Sequence, residues 1–338
     1  MNHTLSIFLI ISILFIPYLI HKSYSSTNSF LDINFSKKFE QLPYLINNFH
    51  QLSFFYRKEM THKENHPVKL IFTKKVIHKT AIFGLISKYK PSHLCFFFDS
   101  LACSGYNGTL IILYSDIDNF TKDYITSFSK FFEIVMISVS FSSNITSVGT
   151  IEYYNNSKIQ KNRFEKFSKK VELIELPFVS GDFRFEVAYF LYKNNFFDEY
   201  ELLFLTDIRD AIFQEDFRMY NYSEGVYVVE EALVSIKNSD YWLNMYNLSY
   251  KSFENRTELC VGTLLLVGSK SFSFLNDLHN QLLDHKDQVI ARPNFQGTLN
   301  YLIYNNTYNY PDGFIKFITT NHGIINSIGK FNYHLIHF

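Results

Sequence analysis

Asp207, Arg209 and Asp210 stand within four residues of one another, directly after the apolar run ELLFLT (201–206). Two carboxylates at this spacing can both face a crevice where a strand turns into a loop. Hard oxygen ligands of this kind suit Mg2+ or Mn2+ held together with a diphosphate. Such an ion acts as a Lewis acid, taking up charge on a departing phosphate without moving a proton. Two unpaired carboxylates also repel, so Asn at either position is expected to leave the fold unchanged or slightly more stable. The alternative is structural: Asp207 caps the following turn, while Arg209 and Asp210 form a surface pair of little worth.

The elements that must position these groups are legible in their hydrophobic patterning. ELLFLT is too short for a helix and has no polar alternation, which predicts a central strand buried on both faces. Its carboxyl end is where open α/β sheets bind ligands, because the loops there diverge into a crevice. Before it, Val187, Ala188, Phe190, Leu191 and Tyr192 recur at helical spacing in RFEVAYFLYKNN (184–195), with Asn194 and Asn195 marking the end of the helix. VKLIFTKKVI (68–77), TLIILYS (109–115), FEIVMISV (132–139) and VELIEL (171–176) read as further strands, and Pro91 to Tyr106 as a helix followed by a turn at Ser104-Gly105. Apolar strands alternating with amphipathic stretches predict an α/β fold, a mixed and mostly parallel central sheet flanked by helices.

Composition narrows the function classes. The chain has 338 residues, 47% of them apolar, with 32 Lys plus Arg against 32 Asp plus Glu. Disorder throughout and a basic nucleic-acid binder are both disfavoured. No Gly-x-Ser-x-Gly and no phosphate-loop signature is present. The three cysteines, Cys95, Cys103 and Cys260, allow one bridge at most, Cys95 with Cys103, or plain buried thiols.

Leu5 to Ile20 carries no charge, and 16 helical residues would span roughly 24 Å. That lies between a signal peptide core and a signal anchor. Asn-x-Ser/Thr triplets at Asn34, Asn107, Asn119, Asn144, Asn155, Asn221, Asn247, Asn255 and Asn305 exceed chance placement and agree with entry into the secretory pathway. The expected organisation is a signal anchor or signal peptide over 1–24, a polar stem over 25–65 and a folded α/β domain over 66–338. The expected location is the Golgi or endoplasmic reticulum membrane with the domain in the lumen, or secretion if the segment is cleaved.

The run RFEVAYFLYKNNFFDEYELLFLTDIRDAIFQEDF resembles glycosyltransferases of the GT-A type. In that pattern an Arg-Phe pair opens a helix, a strand follows, and an Asp-x-Arg-Asp-x-x-Phe-Gln segment replaces the more common Asp-x-Asp. GVYVVEEALV (225–234), LCVGTLLLVGSKSFSFLNDL (259–278) and FQGTLNYLIY (295–304) are similar, in order, to later pieces of the family. The resemblance implies a GT-A-like (Rossmann-like) domain that moves a hexose from a nucleotide-sugar donor to a glycan or protein acceptor, with Mn2+ or Mg2+ as cofactor.

Carried over by position, the resemblance makes Asp207 a ribose and metal contact and Asp210 a metal ligand. Arg209 occupies the place of the usual metal-binding Asp, where its planar fork would meet the diphosphate. Arg184 becomes a base or phosphate contact, or else a charge at a helix terminus. Gly262 and Thr263 match a turn where backbone approaches the donor sugar, with close strand packing as the alternative. Gln296 matches a family Gln, whereas Phe295 stands where the family has an acid. Glu230 and Glu231, after the strand VYVV, are the candidate general bases if the reaction inverts. His322 would add a nitrogen ligand to the metal, although an ordinary surface His is the simpler reading. The departures at Phe295 and Arg209 leave open a non-catalytic relative that binds glycans or partners.

Overall fold

The computed structural model describes residues 73, 76–142, 145–154, 183–209, 211–213, 216–235, 246, 256–284, 295–319 and 325–327. The leading segment, the stem, the strand expected over 171–176, Asp210 and His322 lie outside these residues. Among the described residues no helix is long and apolar enough to cross a membrane.

Ten strands and five α-helices are described. The strands are β1 (Thr80–Ser87), β2 (Thr109–Ser115), β3 (Glu133–Ser142), β4 (Ile145–Tyr154), β5 (Leu202–Thr206), β6 (Ala211–Phe213), β7 (Gly225–Ser235), β8 (Thr257–Val267), β9 (Ile315–Thr319) and β10 (Ile325–Ser327). The helices are α1 (Pro91–Cys103), α2 (Asn119–Thr126), α3 (Arg184–Lys193), α4 (Phe274–Asp284) and α5 (Phe295–Tyr304). Eight strands form one mixed sheet in the order β4-β3-β2-β1-β5-β8-β7-β9, and β10 pairs with β6 in a small second sheet. β3, β2, β1 and β5 run parallel, as do β7 and β9, whereas β4 and β8 pair antiparallel with their neighbours. The expected α/β class with a mixed, helix-flanked sheet is therefore the observed one.

Alternation along the strands builds two cores. Ala81, Phe83, Leu203 and Leu205 face the layer that contains α3, α4 and α5, while Ile82, Leu202 and Phe204 face α1. β5 is buried at every position, as its unbroken apolar run requires. Each such Leu or Phe contributes about 1.5–3 kcal/mol on full burial, so a charge has no place before the strand ends.

The first described strand is Thr80–Ser87; of the strand expected over 68–77, residues 68–72, 74 and 75 lie outside the described residues, and 73, 76 and 77 are not in a strand. TAIFGLIS pairs with both β2 and β5 and is buried at their centre. Of the two cysteine readings the Cys95–Cys103 bridge is excluded, since none of the three cysteines is in a disulfide. Both residues lie on α1, eight positions and so ~12 Å apart, beyond the ~7 Å that a disulfide spans. Burial, reinforced by Asp99, pushes both thiols up to about 11, which keeps them protonated and unreactive at neutral pH.

Candidate functional site

The chain runs outward from β1 through β2 to β3, then returns by α3 to lay β5 on the other side of β1. The carboxyl ends of β1 and β5 thus flank a reversal of strand order, where loops leave in opposite directions and open a crevice. Asp207 follows β5 at this point. Along the same edge, Lys88 after β1 and Asp116 after β2 both hold left-handed backbone, with φ of 56° and 50°. For residues with a Cβ that conformation costs roughly 1–2 kcal/mol each, and such strain gathers at functional edges.

The turn after β5 alternates its side chains. Asp207 is half-buried, Ile208 is fully buried and Arg209 is exposed. Ile208 is seated against β1 at Gly84, where a Cβ would lie 2.5 Å from its Cγ1. That apolar plug holds the turn down while its charged neighbours face outward.

The carboxylate of Asp207 is fixed on three sides. Its backbone N–H donates to the Gly262 carbonyl at 3.0 Å, which carries the β5–β8 ladder one residue past the strand. Arg184 Nη1, from the first residue of α3, donates to Oδ1. Oδ2 lies over Gly262, where a Cβ would come within 2.6 Å. Even so, the Asp207 side chain remains 43% exposed, against 4% for Arg184. A buried guanidinium must be paired, and Arg184 also donates through Nη2 to the Val261 carbonyl at 3.0 Å. Its guanidinium carbon lies 4.8 Å from the centre of the Phe185 ring, which in turn stacks on Phe295 at 5.6 Å.

The bend in β8 makes this arrangement fit. Val228 of β7 faces Leu264, yet the next residue, Val229, faces Cys260, so residues 261–263 form a bulge on β8. Bulges of this kind re-aim backbone next to sites. Here the bulge turns the Val261 carbonyl to Arg184 and the bare α-carbon of Gly262 to Asp207.

Several sequence expectations change against this geometry. Oδ1 of Asp207 is held by Arg184 and not by a turn amide. Arg184, expected to contact a base or phosphate, lies buried behind that carboxylate. The space at Gly262 is taken by Asp207. Thr263 lies opposite Thr206 in the ladder, and Gln296 is half-buried on α5, where its carbonyl accepts from Asn300 Nδ2 at 2.6 Å. Asn300 also bonds Leu259 N–H at 2.9 Å, pinning α5 to β8. The strand that carries Glu230 and Glu231 does not stop at Val229. It runs to Ser235, so both residues lie inside β7, and Glu230 is 7% exposed opposite Leu259 and Thr319. Phe295 is fully buried, and an acid there would stand in the core.

Three residues escaped the sequence reading: Gly84, whose signal was a glycine inside an apolar strand, and Glu186 and His279. Glu186 was marked only by being the one acid in the helix Arg184–Lys193. Among the described residues no group of three His, Cys, Asp or Glu is arranged to hold a metal ion.

No family model matches the sequence, and no curated protein matches it. Among solved structures the chain is similar to the crystal structure of the glycosyltransferase GlyE in Streptococcus pneumoniae TIGR4. That likeness has 12% sequence identity and a TM-score of 0.36, and it covers 71% of this chain and 45% of that one. The chain thus spans less than half the length of that protein.

Proposed function

We propose that the chain is a glycosyltransferase that receives a nucleotide-sugar donor at the carboxyl edge of β1 and β5. The observation that supports this most is the half-exposed carboxylate of Asp207, held rigid by buried Arg184 at the reversal of strand order. A carboxylate fixed before binding can accept from a ribose or sugar hydroxyl with little further loss of rotamer freedom. Exposed Arg209, two residues on, would meet the diphosphate in a bidentate way. The acceptor oxygen of a glycan or protein then bonds to the anomeric carbon as the bond from that carbon to the phosphate oxygen breaks; the nucleoside diphosphate leaves with its charge against that guanidinium, and the hydroxyl proton passes to the leaving phosphate or to water.

The carboxylate of Asp207 is already paired with Arg184, and among the described residues no three His, Cys, Asp or Glu are grouped to hold a metal ion. A Mn2+ or Mg2+ requirement therefore rests on Asp210 and His322, and no step above runs through an ion.

Thermal shift with a panel of nucleotide sugars, with and without Mn2+, tests the reading. One donor at a hundred times its Kd should add about 2.7 kcal/mol of stability, a rise of roughly 5–10 °C for a domain of this size. A panel that leaves the midpoint unmoved overturns the proposal, and a rise that ignores Mn2+ removes the metal from it.

A second reading, a non-catalytic relative that binds glycans or partners, is favoured by Phe295, which puts a core side chain where the resemblance calls for an acid. Donor binding without transfer or hydrolysis would select it.

Luminal placement, with the leading segment as membrane anchor or secretion signal, belongs to the same proposal. Of the acceptor asparagines named above, Asn107, Asn119, Asn221 and Asn305 fall among the described residues, and all four are exposed. Glycosidase treatment of protein from a secretory host should lower its mass. Unmodified full-length protein in the cytosol would count against the placement.

A further inference from the structure

Beside the Arg184–Asp207 pair lies a second pair that the proposed reaction does not use. Glu186, in the first turn of α3, is 1% exposed, and its Oε2 meets Nδ1 of His279 on α4 at 2.7 Å. The imidazole stacks on Tyr189, one turn further along α3, with ring centroids 3.8 Å apart and planes 12° apart. Glu186 Oε1 is buried and has no hydrogen-bond partner among the described residues. Apolar side chains of the same shape would avoid that desolvation cost, so packing alone does not explain the pair.

The patterning of α3 explains it. Arg184, Phe185, Glu186, Val187 and Ala188 are all buried, so the helix enters the protein with no polar face. Its N-cap, Phe183, offers no side-chain hydrogen bond. A helix start buried all round has no apolar stripe to set its rotation about its own axis. At 3.6 residues per turn, Arg184 and Glu186 point roughly 200° apart. One reaches the β5–β8 edge and the other reaches α4.

We infer that Glu186 and His279 are positioning residues, which lock the rotation of the first turn of α3 so that the Arg184 guanidinium is held against Asp207. In its functional part this rests on the proposed donor site. Its structural part is coupling between the Glu186–His279 hydrogen bond and the Arg184–Asp207 pair, and that is measurable without any donor.

The experiment is a mutant cycle on the full chain, read by denaturant unfolding. Glu186→Leu with His279→Phe removes the hydrogen-bonded pair and keeps apolar volume and the Tyr189 stack. Asp207→Asn is then made in the wild type and in that background. In the wild type it should change the unfolding constant at least tenfold, and in the Glu186→Leu/His279→Phe background less than threefold, because Arg184 is no longer aimed. Equal changes in the two backgrounds, or a small change in both, overturn the inference. Should the apolar background fail to fold, His279→Gln serves in its place, since it keeps a donor for Glu186 and loses the ring stack. It should give an intermediate coupling, and unaltered coupling there overturns the inference equally.

UDP and GDP are titrated in parallel. The Glu186→Leu/His279→Phe protein should bind the better of them at least tenfold more weakly than the wild type. If neither binds the wild type while the stability coupling is present, the donor site fails and the positioning role stands. If one binds and the coupling is absent, the positioning role fails and the donor site stands.

Discussion

Asp207→Asn is expected to lower the thermal midpoint by about 4–8 °C and to abolish nucleotide-sugar binding, whereas Arg184→Met lowers the midpoint less. The asymmetry follows from burial. Removing the charge of Asp207 leaves the guanidinium of Arg184 in place with a side chain only 4% exposed. Breaking a fully buried pair costs ~3–5 kcal/mol when the survivor stays buried. Asp207 is itself 43% exposed, and the Asn carbonyl can still accept from Nη1, so screening reduces the cost to about 2 kcal/mol. Arg184→Met leaves a carboxylate that water can reach, and loses chiefly the bond to the Val261 carbonyl, worth about 1 kcal/mol.

This reverses what two unpaired carboxylates would imply, since the repulsion argument has Asn neutral or stabilising at this position. Differential scanning and donor titration of the two variants measure both parts. If Asp207→Asn keeps its midpoint and its donor affinity, Asp207 is a turn residue and the site is lost.

Gly262→Ala should weaken donor binding by about a hundredfold and destabilise the chain by about 1–3 kcal/mol. The new Cβ would lie 2.6 Å from Oδ2 of Asp207, 3.3 Å from its Cγ and 3.4 Å from Sγ of Cys260. Asp207 cannot retreat, because Arg184 holds Oδ1 and the Gly262 carbonyl holds its N–H. A shift of ~1 Å in a positioned group is enough for a loss of that size.

Backbone strain does not enter, since Gly262 is not among the residues with positive φ. The clash account makes a second demand. With Asp207→Ala already present, adding Gly262→Ala should cost almost nothing further, because the obstructing carboxylate is gone. Additive losses in midpoint would mean that Gly262 serves β8 packing alone.

What the sequence by itself determined was local and periodic. β5 was legible because an apolar run without alternation fits a strand buried on both faces. α3 was legible from residues recurring at helical spacing, and the charged turn after β5 from the abrupt change in polarity at Asp207. The mixed α/β class followed from the alternation of such elements.

The tertiary structure alone decided which charges meet. Arg184 reaches Asp207 across 23 positions of chain because the return of α3 sets β5 beside β1. Gly262 reaches the same carboxylate because residues 261–263 bulge out of register with β7. Pairing set TAIFGLIS between β2 and β5, and carried β7 on through both glutamates to Ser235. The physical reason is common to all of these. Hydrophobic periodicity is a property of neighbours in sequence, whereas register, bulges and the pairing of buried charges are set by which strands lie side by side, and no local pattern encodes that choice.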